Sequence, residues 1–212
     1  MATKWIRTSV GAGAIALTLL GSGCGKAAQQ GRSPSQLVLQ ALEGASGADP
    51  DELSAVVHSD VETIVTRSIN GEDVSIPTIF SDPGQVTMSL VLKDQGVPGI
   101  TAAPSALNAV TITRYRVAYR RADGRNTPGV DVPFAFEGAI TFMVPSEGDA
   151  SAGFELVRHA AKKETPLLPL VTNGNIITTI ADITFFGRDL AGNDVQATGS
   201  MQVDFGNFAD PE

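Results

Sequence analysis

"NIITTIADITFFGRDLAGNDVQATGSMQVDF", residues 175–205, decides the fold class of this chain. Apolar and polar residues alternate from Val195 to Phe205, and a period of two places one set of side chains on the buried face of a β-strand. The segment from Asn175 to Gly187 is rich in β-branched and aromatic residues, which also favour a strand. Turn-forming Asp, Gly and Asn residues separate the two segments. The stretch therefore predicts a β-hairpin.

Similar strand patterns occur elsewhere in the chain. They are clear in residues 85–93, 113–120 and 134–144, and weaker in residues 36–43, 55–65 and 153–160. The segment 36–43 also fits a short helix, because its leucines and valine match helical spacing. The connections are rich in Gly, Pro, Asn and Asp, and no long helical pattern lies between them. The chain is therefore predicted to be all-β, as a sandwich or a barrel.

A family resemblance narrows this choice. The stretch "IADITFFGRDLAGNDVQATGSMQVDF" resembles the last hairpin of bacterial immunoglobulin-like or fibronectin-like domains, which often end with an aromatic-rich strand, a Gly-Asn turn and an alternating strand. The resemblance implies an immunoglobulin-like β-sandwich of about seven to nine antiparallel strands. The disulfide known from that fold cannot form here, because Cys24 is the only cysteine.

The first residues, "MATKWIRTSVGAGAIALTLLGSGC", have the pattern of a secretory signal peptide. Lys4 and Arg7 give a positive start, Val10 to Leu20 is apolar, and small residues precede Cys24. The apolar run is shorter than the roughly 20 residues that a membrane-spanning helix needs. We therefore expect export and removal of this segment.

The same stretch resembles a bacterial lipoprotein signal, in which a leucine and small residues precede a cysteine. Here Leu20 stands four residues before Cys24, and Gly21 holds the place where leucine is usual. The resemblance implies a signal peptide over 1–23, cleavage before Cys24 and attachment of lipid to Cys24, so that the membrane becomes a partner. Gly25 after the cysteine, where an aspartate would imply the inner membrane, implies the outer membrane. Small, polar residues predict a flexible tether over 24–35, and the domain occupies 36–212.

Charge and motifs exclude several classes of function. Cleavage removes Lys4 and Arg7, which changes the formal net charge from -8 to -10, so nucleic-acid binding is not expected. The sequence has no nucleophile elbow, no phosphate-binding loop, no dinucleotide fingerprint and no zinc motif. Asp189, Asn193 and Asp194 offer oxygen ligands in one loop, but they are also ordinary turn residues. We therefore expect no enzymatic activity, no metal and no cofactor.

The segment "RYRVAYRRADGR" carries five arginines within residues 114–125 of an acidic chain. In a strand, Arg114, Arg116 and Arg120 share the face opposite Tyr115 and Tyr119. One interpretation is a contact surface for an anionic partner, and the other is cross-strand pairing with acids of a neighbouring strand. If this strand lies antiparallel to residues 175–187, Asp182 should pair with one of the three arginines and leave a net positive strip.

The sequence thus predicts a lipid-anchored, non-enzymatic module of the cell envelope that serves adhesion, assembly or envelope structure. Its partner would be a protein or an anionic glycan. The alternative is a lipoprotein that binds a small ligand or glycan through loops at one end of the sandwich. The whole chain also resembles bacterial lipoproteins that have no assigned activity, so this resemblance implies location and fold alone.

Overall fold

The computed structural model describes residues 31–94, 96–97, 100–101 and 103–208. The predicted signal peptide, Cys24 and residues 25–30 of the predicted tether lie outside these ranges. The packed domain begins slightly before the predicted boundary at residue 36, because Ser33 is buried and the buried Ser35 starts the first strand.

Strands dominate the described residues. They are β1 (Ser35–Gly44), β2 (Val56–Asp60), β3 (Thr63–Ile69), β4 (Glu72–Thr78), β5 (Asp82–Leu92), β6 (Gly96–Val97), β7 (Ile100–Thr101), β8 (Val110–Arg120), β9 (Phe136–Val144), β10 (Asp149–Val157), β11 (Ile177–Asp189) and β12 (Asp194–Gly206). Short helical segments are the turn α1 (His159–Lys162) and the 3₁₀ turns Ala106–Asn108 and Leu168–Val171. The prediction of an all-β fold is confirmed.

Two sheets contain eight of the described strands. One has the order β2-β12-β11-β8-β9 and the other β1-β5-β10, while β3 and β4 form a separate hairpin. Neighbours run antiparallel in both sheets except β2, which is parallel to β12. The expectation of a purely antiparallel fold is wrong at this edge. A tight hairpin would impose antiparallel pairing, but the chain reaches β2 from β1, which belongs to the other sheet.

One hydrophobic core lies between the two sheets. Val86 and Met88 of β5 share it with Ile183 and Phe185 of β11, and all four are fully buried. The rings of Phe154 and Phe185 meet across the sheets at 5.4 Å. This packing is consistent with a β-sandwich, while the immunoglobulin-like identity of the sandwich stays a prediction.

Several local expectations need correction. The segment 36–43 forms part of strand β1, so its alternative prediction as a short helix is wrong. His159, expected in a strand, begins α1, since pairing of β10 ends at Val157. Phe134, expected to open a strand, precedes β9 and is 57% exposed, because the last cross-strand pair joins Phe136 to Val117. The alternation of apolar and polar residues therefore continues beyond the residues that pair with a neighbouring strand.

At two cross-strand pairs an aromatic residue lies opposite a glycine. Tyr115 of β8 lies opposite Gly138 of β9, and Phe154 of β10 lies opposite Gly84 of β5. A Cβ atom on Gly138 would come within 2.4 Å of the Tyr115 ring, and one on Gly84 within 2.5 Å of the Phe154 ring. A side chain larger than hydrogen at either position would therefore clash with the ring.

Candidate functional site

The three arginines predicted as a contact surface lie on the outer face of the five-stranded sheet. Arg114, Arg116 and Arg120 are exposed, whereas Tyr115 and Tyr119 are buried in the core. Strand β8 pairs antiparallel with β11, as the sequence predicted. We refer to the outward side chains of β8, β9, β11 and β12 as the arginine face.

Asp182 pairs with Arg120, which confirms the prediction that it pairs with one of the three arginines. Arg120 Nε donates to Asp182 Oδ2 at 2.7 Å, and the Ser200 hydroxyl donates to Asp182 Oδ1 at 2.6 Å. Partial burial acts to raise the pKa of Asp182, but the hydrogen bonds from Arg120 and Ser200 outweigh it and leave this pKa below its ordinary value. Asp182 is therefore held as a carboxylate.

Arg114 has a partner that the sequence did not predict. Its Nη1 donates to Glu137 Oε2 of β9 at 2.8 Å, and its guanidinium lies 3.8 Å from the centre of the Phe186 ring. Strand β9 flanks β8 on the side opposite β11, and so supplies a second acid to the face. The expectation that Asp182 alone would face the arginines is therefore incomplete.

Arg116 is the arginine of this face that keeps its charge unmatched. It lies between Thr184 of β11 and Glu137 of β9 in the register. Glu137 bonds to Arg114 instead, and within the described residues no hydrogen bond or ion pair joins the Arg116 side chain to a partner. The outward side chains of these strands carry four arginines, Arg114, Arg116, Arg120 and Arg188, and four acids, Glu137, Asp182, Asp194 and Asp204. The formal charges of the face therefore balance, and the predicted net positive strip is reduced to the local positive charge of Arg116.

A shallow cleft of about 530 Å³ opens on this face near the turn between β11 and β12. Arg188 Nε donates to Asp194 Oδ1 at 2.9 Å along one side of it. The volume falls in the range of small-molecule sites, which begins near 300 Å³. Its lining combines charged, polar and aromatic groups: Thr113, Arg114, Phe186, Gly187, Arg188, Asp194, Val195 and Gln196.

The two remaining arginines of the cluster do not join the face. Arg121 and Arg125 both bind Asp123, at 2.7 Å and 2.8 Å, in the loop after β8. Hydrogen bonds from Arg121 and then Arg125 hold the pKa of Asp123 far below its ordinary value. This part of the basic cluster therefore stabilises its own loop.

The two carboxylates at the turn between β11 and β12 are bound by residues of the same turn. Asp189 is buried and accepts hydrogen bonds from the backbone and the side chain of Asn193, at 2.8 Å and 2.9 Å. Asp194 pairs with Arg188. Across the residues that the structure describes, no group of three or more His, Cys, Asp or Glu side chains is placed to hold a metal ion. The turn-residue interpretation explains this loop.

A buried ion pair was not predicted from the sequence. Lys162 Nζ lies 2.6 Å from Asp82 Oδ1 and donates to the Asp60 carbonyl at 2.7 Å, and the two charged side chains are 1% and 0% exposed. Gly47 N–H also donates to Asp82 Oδ1. Burial raises the pKa of Asp82, and the charge and hydrogen bond of Lys162 oppose that rise. The pair ties α1 to the start of β5 and the end of β2, which is a structural role.

The described residues contain no helix that is long and apolar enough to span a membrane. Comparison with protein-family models, curated proteins and solved structures found no match to this chain. Function is therefore inferred from the chain's own residues and their geometry.

Proposed function

We propose that this chain is a lipid-anchored, non-enzymatic module of the cell envelope, exported and held at the outer membrane through lipid on Cys24. The signal pattern before Cys24 supports the anchor. The packed domain begins at Ser33, nine residues after that cysteine, and this length spans at most roughly 30 Å when fully extended. The anchor would therefore display the folded domain close to the membrane.

We assign the arginine face as the contact surface of this module. The main support is that the exposed side chain of Arg116, at the centre of the face, has no hydrogen-bond or ion-pair partner among the described residues. A mature chain with a formal charge of -10 repels anions over most of its surface, so a local excess of positive charge directs an anionic protein or glycan to this face. The module would then serve adhesion, assembly or envelope structure.

The anchor is tested by Cys24→Ser. The variant should accumulate as uncleaved precursor and take up no radioactive fatty acid, because the acyl acceptor is gone. Ser22→Ala is the matched control, since it keeps a small residue before the cysteine and should be processed and labelled. Fatty-acid labelling of Cys24→Ser would contradict the proposed anchor.

The contact surface is tested by Arg116→Ala against Arg125→Ala. Both variants lose one positive charge, but Arg125 is bound to Asp123 outside the arginine face. Each tagged protein is recovered from solubilised membranes, and the molecules that co-purify are compared at low and high salt. Arg116→Ala should lose the salt-sensitive partner and Arg125→Ala should keep it. Retention of that partner by Arg116→Ala would exclude the face as its contact.

A second candidate function is binding of a small ligand or glycan, and the 530 Å³ cleft favours it. Arg188, Thr113 and Gln196 line it with hydrogen-bonding groups beside the Phe186 ring. The cleft adjoins the turn between β11 and β12, which lies at one end of the sandwich. Binding of the domain to acidic oligosaccharides on a carbohydrate array, lost in Arg188→Ala, would favour this function over a protein partner.

A further inference from the structure

The tether arrives at one defined end of the sandwich. The Ser35 hydroxyl donates to the Asn108 carbonyl at 3.0 Å, and Lys93 N–H donates to the Pro34 carbonyl at 2.9 Å. These contacts join the start of β1 to the end of β5 and to the 3₁₀ turn Ala106–Asn108. We refer to this part of the molecule as the tether end.

The turn between β11 and β12 lies at the same end. Val110, two residues after Asn108, pairs with Asp189, the last residue of β11. A hydrogen bond from Ser33 also contributes to lowering the pKa of Asp189, which brings the incoming chain against this turn. Two separate turns therefore surround the point where the tether enters the domain.

Each of these turns exposes a leucine. Leu107 is 68% exposed in the 3₁₀ turn, and Leu190 is 55% exposed directly after β11. Met143, which pairs with Thr111 at the adjoining end of β9, is 57% exposed. Neither leucine belongs to the core between the sheets, so both are available to a surface outside the domain.

We propose that the tether end docks on the bilayer that holds the Cys24 lipid, with Leu107 and Leu190 inserted at the level of the headgroups. This inference rests on the proposed lipid anchor. A tether of nine residues keeps the tether end within roughly 30 Å of the membrane, so the bilayer is present there at high effective concentration. Apolar side chains at such a surface gain by leaving water, as in proteins that lie on membranes.

Docking of this kind gives the module an orientation. The strands of the five-stranded sheet run from the tether end to the opposite end. Docking at the tether end would therefore orient these strands perpendicular to the membrane plane, and the arginine face would point parallel to the membrane surface. The two inserted side chains, Leu107 and Leu190, are uncharged, and we expect their contact with the bilayer to be insensitive to salt. Binding through the arginine face, in contrast, is weakened by salt.

Tryptophan fluorescence tests the contact directly. The only tryptophan, Trp5, lies in the predicted signal peptide, so a tryptophan introduced into the mature chain is the sole one. Leu190→Trp and Ile176→Trp form a matched pair, because the two residues flank β11 at its opposite ends and are 55% and 58% exposed. The 14 residue steps between them correspond to about 45 Å along an extended strand.

Each variant is purified in its lipidated form and placed in phosphatidylcholine vesicles with and without bromine on the acyl chains. We expect brominated lipid to quench Leu190→Trp several-fold more strongly than Ile176→Trp, and the emission of Leu190→Trp to shift to the blue. Leu107→Trp should show the same quenching and the same blue shift as Leu190→Trp, and it tests the membrane contact at a second turn.

Equal quenching at Leu190 and Ile176, or no quenching at either leucine, would overturn the docking proposal. The mass of the peptide that carries Cys24 separates the two possible failures. An acylated Cys24 without quenching rejects the docking and leaves the anchor intact. A Cys24 without acyl groups rejects the anchor and the docking with it.

Discussion

Lys162→Met should lower the free energy of unfolding by about 4 kcal/mol at pH 7, because it leaves Asp82 buried without its counter-charge. Methionine retains most of the length of lysine, so no large cavity forms. The folded variant escapes a bare buried charge by protonating Asp82. Each pH unit above the ordinary pKa of 3.8 makes that protonation about 1.4 kcal/mol more costly. At pH 7 the cost of protonating Asp82 is therefore about 4 kcal/mol. This value agrees with the roughly 3–5 kcal/mol expected when one partner of a buried ion pair is removed.

The sign of the pH dependence follows from the same reasoning. A carboxyl group whose pKa is raised by folding stabilises the folded state most below the unfolded pKa of 3.8, and this stabilisation is lost as the pH rises through the folded pKa. Burial raises the pKa of Asp82 in the wild-type protein, and Lys162 opposes the rise. Removing Lys162 therefore raises the pKa further. The loss in Lys162→Met should shrink to about 2 kcal/mol at pH 5, because protonating Asp82 is then less costly.

Urea unfolding of the domain without residues 1–30, followed by far-ultraviolet circular dichroism at pH 5 and pH 7, measures both quantities. Lys163→Met is the control, because Lys163 is the exposed neighbour and its replacement should change stability by less than about 0.5 kcal/mol. Combining Lys162→Met with Asp82→Asn should cost less than the two single changes together, since no charge is left buried. A loss below about 1 kcal/mol at pH 7, or an equal loss at both pH values, would refute the assignment of a buried ion pair.

Two further predictions concern glycines. Gly138→Ala should destabilise the domain by about 1–3 kcal/mol in thermal unfolding, because its Cβ atom would meet the Tyr115 ring at 2.4 Å. Gly153→Ala is the control, with the nearest atom at an ordinary 3.8 Å, and a similar loss there would remove the steric explanation. Gly192→Val should destabilise more than Ala191→Val by at least about 1 kcal/mol, because Gly192 has a φ of 88° and its surroundings are open, so the difference is backbone strain alone. Equal urea midpoints for these two variants would contradict that account.

The arginine face illustrates how far periodicity can be used to predict a site. Alternation along residues 113–120 identified which side chains of β8 point outward, and the pairing with residues 175–187 placed Asp182 beside one of the three arginines, which the structure identifies as Arg120. The partner of Arg114 was missed, because alternation assigns a residue to a face but does not identify the strand on the other side. Glu137 became a neighbour only when β9 took the edge of the sheet beside β8.

The turn between β11 and β12 was predicted in kind but not in length. Gly192 does adopt a positive φ, as expected for a glycine at a hairpin turn. The connection has four residues, because β11 ends at Asp189 and β12 begins at Asp194. Asp189 closes it with hydrogen bonds to Asn193, and the composition of the loop does not specify these bonds.

The amino-acid sequence by itself determined the strand character of the chain and the outward face of β8, because side-chain period and turn chemistry are local properties of the backbone. Only the tertiary structure decided that Lys162 is buried against Asp82, 80 residues away, while its neighbour Lys163 is exposed. The two lysines have the same side chain and are neighbours in the sequence: Lys162 is the last residue of α1, and Lys163 follows it. Which of them enters the core depends on how α1 packs against β2 and β5, and the free energy of that packing comes from residues that lie far apart in the chain.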